Sequence, residues 1–219
     1  MGIKERKELE KQEMQKLILD TAMKLFFEKG FENVTIRHIA EKIEYSPATI
    51  YLYFKDKDDI IYTLHREGFE QLYRLQKTTL SIKDPLKRLR KQGEVYVSFA
   101  LENPEYYDLM FIMRGPVRKI KEMKVKEMKE WDIGSRSFEF LRQNIKECME
   151  AGLFPEADID VAAFSVWAYA HGIVSLVIRD RCMMFPEDKI RDIVDESLDF
   201  MLGIMFDSKI EIKSIKKGV

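Results

Sequence analysis

Apolar residues recur at helical spacing through most of the chain. Between Lys11 and Lys29 they fall at Met14, Leu17, Ile18, Ala22, Leu25 and Phe26, steps that place them on one face of an α-helix. Gly30 follows as a C-terminal stop. Thr35 or Asn33 can cap a short second helix whose inner face is Ile36, Ile39, Ala40 and Ile43. Ser46-Pro47 opens a third helix, with Ser as N-cap and Pro at the first helical position, and the pattern carries it to about Phe54. A fourth begins near Lys57, with Ile60, Ile61, Leu64, Phe69, Leu72 and Leu75 on its apolar side. Longer helices follow, broken near 81–85, 103–104, 115–116, 152–155 and 185–186, and each break holds a Pro. Neither a strand alternation nor an internal repeat is present, and KIEIKSIKKGV at the C-terminus reads as a frayed basic tail. The pattern predicts an all-α fold: a small N-terminal domain over 10–60, a larger helical domain over 61–206 and the tail over 207–219.

Composition agrees. Only 10 Gly and 6 Pro interrupt a chain rich in helix formers, and 46% apolar residues suffice for a sizeable core. Cys148 and Cys182 lack CxxC spacing, which fits a reduced, cytoplasmic protein. The N-terminus has no apolar segment of the secretory kind. Net charge is −1, and residues 1–55 hold ten Lys/Arg against nine Asp/Glu, so any nucleic-acid binding must come from local placement of charge. Residues 161–178 carry no formal charge, a length at the lower edge of a membrane span. Ser165, His171, Gly172 and Ser175 interrupt the run, and Asp160 and Arg179 bound it, so it is read as a buried or interface helix and no membrane partner is expected.

The most informative stretch is YSPATIYLYFKDKDDI, residues 45–60. Its first ten residues are uncharged in a chain that is 34% charged, and three of them are Tyr. At helical spacing Pro47, Ile50, Tyr51 and Phe54 share a face that can pack inward. Ala48, Thr49, Leu52 and Tyr53 form the complementary face. Thr offers a hydroxyl to base edges, Ala or Leu can meet a thymine methyl, and Tyr hydroxyls with Lys55 can meet phosphate. A short helix buried on both sides fits the same spacing. Context decides: two short helices joined by a tight turn on a small domain form a helix-turn-helix, here about 34–54. Leu52 is the discriminating residue, exposed in one reading and buried in the other.

FENVTIRHIAEKIEYSPATIYLYFKDKDDI resembles the N-terminal domain of TetR-type transcriptional regulators. The resemblance rests on Phe26, Phe27, Gly30 and Phe31, on Val34-Thr35-Ile36, on Ile39-Ala40, and on Ser46, Thr49-Ile50-Tyr51, Phe54 and Lys57; it covers roughly residues 10–60. It implies that Ala48, Thr49 and Leu52 contact base edges, and that Tyr51 and Tyr53, with Lys55 nearby, contact the backbone. It implies phosphate contacts for Thr35 and Arg37 at the start of the second helix, and Ser46 joins the DNA-binding set. Lys4, Arg6 and Lys7 could form a minor-groove arm, although Glu5 and Glu8 interleave them. One position departs from the pattern: Glu44 stands where the family usually has Gly, and positive φ there would cost roughly 1 kcal/mol.

The resemblance also implies a helical dimerisation and ligand-binding domain. NPEYYDLMF (103–111) and WAYAHG (167–172) resemble a C-terminal variant with a Trp…His-Gly signature. Tyr107, Met110, Phe111, Trp131, Phe138, Trp167 and His171 are the candidate ligand-lining residues. Each has ordinary core packing as the alternative, and His171 is either a polar anchor or a satisfied structural histidine. Twelve Met give an adaptable interior. The run 161–178 and the helix from Pro186 to about Phe206 suit a four-helix interface between two copies. The predicted function is a ligand-responsive, sequence-specific DNA-binding transcriptional regulator. It would be a homodimeric repressor on a double-stranded DNA operator, released by a small apolar or amphipathic effector. The alternative is a helical adaptor without DNA binding. Three His, no HExxH, no GxSxG and no Gly-rich phosphate loop argue against an enzyme, and neither a metal nor a cofactor is expected.

Overall fold

The computed structural model describes residues 2–115 and 132–206; Trp131 and the basic tail 207–219 lie outside the described residues. The fold is all-α, with no strand among those residues. In chain order the helices are α1 (Ile3–Lys29), α2 (Ile36–Lys42), α3 (Pro47–Tyr51), α4 (Lys57–Thr78) and α5 (Pro85–Glu102). They continue with α6 (Pro104–Tyr107), which runs into a π-turn at Asp108–Ile112, then α7 (Asp132–Glu150), α8 (Ile159–Ile178) and α9 (Ile190–Phe206). Lys4, Arg6 and Lys7 belong to the helical start of α1, where Arg6 pairs with Glu10 at 3.2 Å, so this segment is a charged helix and not an extended arm. Helix-forming residues and i,i+4 pairing sustain it without burial.

The chain divides by its contacts into two compact units. One comprises Met1–Glu70 with Asn103–Asp132, the other Gln71–Glu102 with Ile133–Val219. In the first, Ile18, Ala22 and Phe26 of α1 meet Val34, Ile39, Ala40, Ile50, Phe54, Ile60, Ile61 and Leu64. Leu109, from far along the chain, is fully buried in the same core. Four consecutive residues, Tyr107 to Met110, are buried. Consecutive side chains on a helix point about 100° apart, so this short segment is enclosed on nearly every side. Met113 N–H closes the π-turn on Asp108 C=O at 2.8 Å. Gly68 of α4 lets the segment approach: a Cβ built there would lie 2.5 Å from Met110 Sδ. Phe69 meets Phe111 edge-on at 5.4 Å, and Tyr106 donates to the Glu67 carboxylate at 3.2 Å.

In the second unit α5 packs on α8 and α9. Leu89, Ile145, Cys148, Ala162, Ala163, Val166, Met201 and Leu202 form its core. Arg88 is buried yet matched, donating to Asn144 Oδ1 at 2.6 Å, to Ile82 C=O at 3.1 Å and to the Glu147 carboxylate. Burial pushes the Cys148 thiol up to about 11, so it behaves as a small apolar core residue. By length and composition α8 passes the test for a membrane span, yet Ala162, Ala163, Val166, Ala170 and Val174 bury one of its faces in this unit.

Candidate nucleic-acid interface

The interface begins with two reciprocal helix caps. Thr35 Oγ1 accepts the His38 N–H at 3.2 Å, and His38 Nδ1 accepts the Thr35 N–H at 3.3 Å. Histidine thus takes the part that Glu or Gln plays in a capping box. Arg37, beside it, is exposed. At the other end of α2, Tyr45 N–H bonds Ala40 C=O at 3.0 Å and Glu44 N–H bonds Glu41 C=O at 3.2 Å, with Glu44 at φ 61°. This is the paired left-handed C-cap that glycine usually supplies. The turn therefore keeps its geometry despite the Glu, and the residue absorbs the conformational cost.

Ser46 caps α3 as its sequence implies. Its Oγ accepts the Thr49 N–H at 3.2 Å and shares a 3.0 Å hydroxyl contact with Thr49 Oγ1. The helix is shorter than its apolar pattern suggests: it ends at Tyr51, and Tyr53 N–H bonds Ile50 C=O at 2.9 Å in a tighter turn. That shortening changes which Tyr faces outward. Tyr51, placed on the packing face by strict helical spacing, is 56% exposed, while Tyr53, placed outward, packs partly against the core. Ile50 and Phe54 are buried as anticipated. The solvent face is Ala48, Tyr51, Leu52 and Lys55, an i, i+3, i+4, i+7 set. Leu52 is 79% exposed, which excludes a helix buried on both sides.

Tyr45, immediately before the cap, is also exposed and was not among the sequence candidates. Its signal was present in the sequence as an aromatic residue opening an uncharged run. The two nearby lysines differ in role. Lys57 Nζ donates to Phe31 C=O at 2.7 Å and lies 4.1 Å from the Phe31 ring centroid, tying α4 to the end of α1. The Lys55 side chain is exposed, while its backbone N–H caps onto Asp59 at 3.0 Å.

The ligand candidates separate. Tyr107, Met110 and Phe111 belong to the first unit, and Tyr107 and Met110 are buried. Phe138, Trp167 and His171 come together in the second unit: the Trp167 ring lies 6.1 Å from Phe138 and 5.7 Å from His171. Tyr96 joins them, its hydroxyl accepting Trp167 Nε1–H at 3.3 Å and lying 3.4 Å from His171 Nδ1. Ser175 Oγ is 3.5 Å from His171 Nε2. Burial lowers the His171 pKa, which favours the neutral ring. No cluster of metal-ligand side chains occurs among the described residues.

Comparison with known proteins matches both parts of the chain. A family profile for bacterial regulatory proteins of the tetR family covers residues 18–62, and one for a tetracyclin repressor-like C-terminal domain covers 89–203. The HTH-type transcriptional regulator AcrR of Shigella flexneri is 28% identical over 170 residues, 75% of this chain and 78% of that protein. The fatty acid degradation regulator FadR from Bacillus halodurans superposes with a TM-score of 0.70 at 18% identity, covering 86% of this chain and 94% of that one. FadR from Bacillus subtilis in complex with stearoyl-CoA gives 0.68 at 20% identity, covering 89% and 98%. At these identities the two structures establish the fold.

Proposed function

Because the chain belongs to the TetR family of DNA-binding transcriptional regulators, we propose that it is a homodimeric repressor released by an amphipathic effector. The carrying observation is the free face of α3. Ala48, Tyr51, Leu52 and Lys55 stand clear of the core, and Leu52 has no partner inside its unit to explain it. Neutral groups meet base edges, while Lys55, Tyr51 and the Thr35–Arg37 end of α2 meet phosphates. Thr49 and Ser46 bond each other, so one hydroxyl proton of the pair remains to contact DNA.

Dimerisation is supported by the outer faces of α8 and α9. Val161, Phe164, Leu176, Phe200 and Ile204 are exposed large apolar residues, and a Cβ built on Gly172 or Gly203 would meet open space. Two such helix pairs make a self-complementary four-helix contact. A dimer that reads two half-sites one DNA turn apart needs its α3 helices about 34–36 Å apart. The effector reading is supported by the Phe138–Trp167–His171 cluster and by the stearoyl-CoA complex of the Bacillus subtilis FadR. Near-complete release requires the effector to prefer one dimer state by about 5.5 kcal/mol.

The test uses the DNA upstream of the gene at graded salt. Log affinity should fall steeply with log salt. Lys55→Ala should weaken binding to all sequences and flatten the slope by about one unit. Leu52→Ala should alter base preference and leave the slope unchanged. Salt-independent association, or none at low salt, would leave the helical-adaptor reading in its place.

A further inference from the structure

The inner face of α5 carries a ladder of polar side chains at one-turn spacing: Arg88, Gln92 and Tyr96. Arg88 is matched by Asn144, Glu147 and the Ile82 carbonyl. Tyr96 is matched by Trp167 and His171. Gln92, between them, is only 6% exposed, and neither its Nε2 nor its Oε1 has a hydrogen-bond partner. An amide offers two donors and an acceptor with two lone pairs. Burying it unmatched is among the costlier arrangements a core can contain, and a Leu of nearly the same size would avoid the cost. A polar group retained under those conditions calls for a partner that is absent here.

We propose that Gln92 is the hydrogen-bonding anchor for the uncharged polar head of an amphipathic ligand, a carboxamide or carbonyl carried on an apolar body. This rests on the reading of this unit as the effector-binding part of the protein. The groups one turn away dictate an uncharged head. Arg88 is ion-paired with Glu147 and also donates to Asn144 and Ile82, so the cation one turn away already has its counter-charge. Tyr96, Trp167 and the neutral His171 supply dipoles and no charge. A buried carboxylate would therefore lie unpaired beside Gln92, whereas an amide or carbonyl exchanges hydrogen bonds with it and needs no counter-charge.

The experiment uses the full chain, stripped of bound lipid by unfolding and refolding. Without ligand, Gln92→Leu should raise the melting temperature by at least about 2 °C, because it removes unmatched polar atoms. An unchanged or lower value means that Gln92 already has a structural partner, a buried water included, and overturns the proposal. The probes are dodecanamide and dodecanoate at pH 8, equal in tail and different in head. The wild type should bind dodecanamide at least about tenfold more tightly, and Gln92→Leu should erase that preference through the amide alone. Equal binding of the two, a preference for dodecanoate, or binding of neither overturns the anchor. Operator binding is scored on the same samples. Amide binding without any change in DNA affinity refutes effector release and leaves the anchor standing.

Discussion

Glu44 offers the cleanest perturbation of the DNA-binding unit. Its φ of 61° lies in the left-handed region, held by the two backbone bonds that close α2. A non-glycine residue there costs about 1–2 kcal/mol. Glycine removes that cost but adds about 0.5–1 kcal/mol of unfolded-chain entropy to be lost on folding. Glu44→Gly should therefore stabilise the protein by about 0.5–1 kcal/mol, a rise in melting temperature of about 1–4 °C at this chain length. The fold provides internal controls. Asp180, at φ 53°, closes α8 with the same pair of bonds, and Gly152, at φ 68°, closes α7. Asp tolerates the left-handed region better than Glu, so Asp180→Gly should gain less. Gly152→Ala should lose about 1 kcal/mol or more, and purely conformationally, since its Cβ would meet nothing within 4 Å. Calorimetric melting of the three variants checks the ordering, and operator affinity should be unchanged in Glu44→Gly because the turn already has the required geometry. A fall in melting temperature for Glu44→Gly would refute the assignment of strain to this residue.

Three further outcomes follow from buried and exposed groups. His65 is buried against Phe69, and burial lowers its pKa to about 4 from the ordinary 6.5. The folded state therefore binds fewer protons than the unfolded one; stability is fully present above pH 6.5 and falls by about 3 kcal/mol as pH drops toward 4. Urea midpoints at pH 7, 5 and 4 should show this loss, and His65→Leu should flatten it. Leu109→Ala, at a 0% exposed site, should cost about 2–5 kcal/mol. Hydrogen exchange should locate the lost protection in α1 to α4, at least about 30 residues away in sequence; protection lost only around residues 103–112 would contradict the shared core. Phe200 is 68% exposed on α9. Phe200→Asp should shift sedimentation toward the monomer and weaken operator binding with it, and an unchanged oligomer would remove that face from the interface.

The first 60 residues were legible because their signals are local. Ser46-Pro47, Thr35 and Gly30 act within one turn of where they stand, and the structure uses all three as caps or stops. The start of α4 at Lys57 and the breaks before Pro85 and Pro104 belong to the same class. Tyr51 and Tyr53 were assigned to the wrong faces because helical spacing presupposes that the helix continues. α3 closes after five residues, and the tighter turn beyond it rotates Tyr53 inward. Only the tertiary environment fixes where so short a helix stops.

The less legible features all depend on distance along the chain. NPEYYDLMF has the pattern of ordinary helical core, and nothing in it states that its core is the one built by α1 to α4. That pairing rests on Gly68, which lets Met110 approach, and on Leu109, which shares a core with Ile18 and Leu64. Gln92 was invisible for the opposite reason. A Gln in a charged, amphipathic helix carries no sequence signal, and its meaning comes only from being buried while its neighbours Arg88 and Tyr96 are matched. Leu52 is the mirror case, an apolar residue left in water. In both, the proposed function rests on a violation of burial rules, a polar group with no partner inside and an apolar group with no partner outside. The two violations fall in different units, one proposed to meet DNA and the other an effector. A regulator needs both surfaces unsatisfied in the free protein, because a surface already matched by its own chain has nothing left with which to discriminate a ligand.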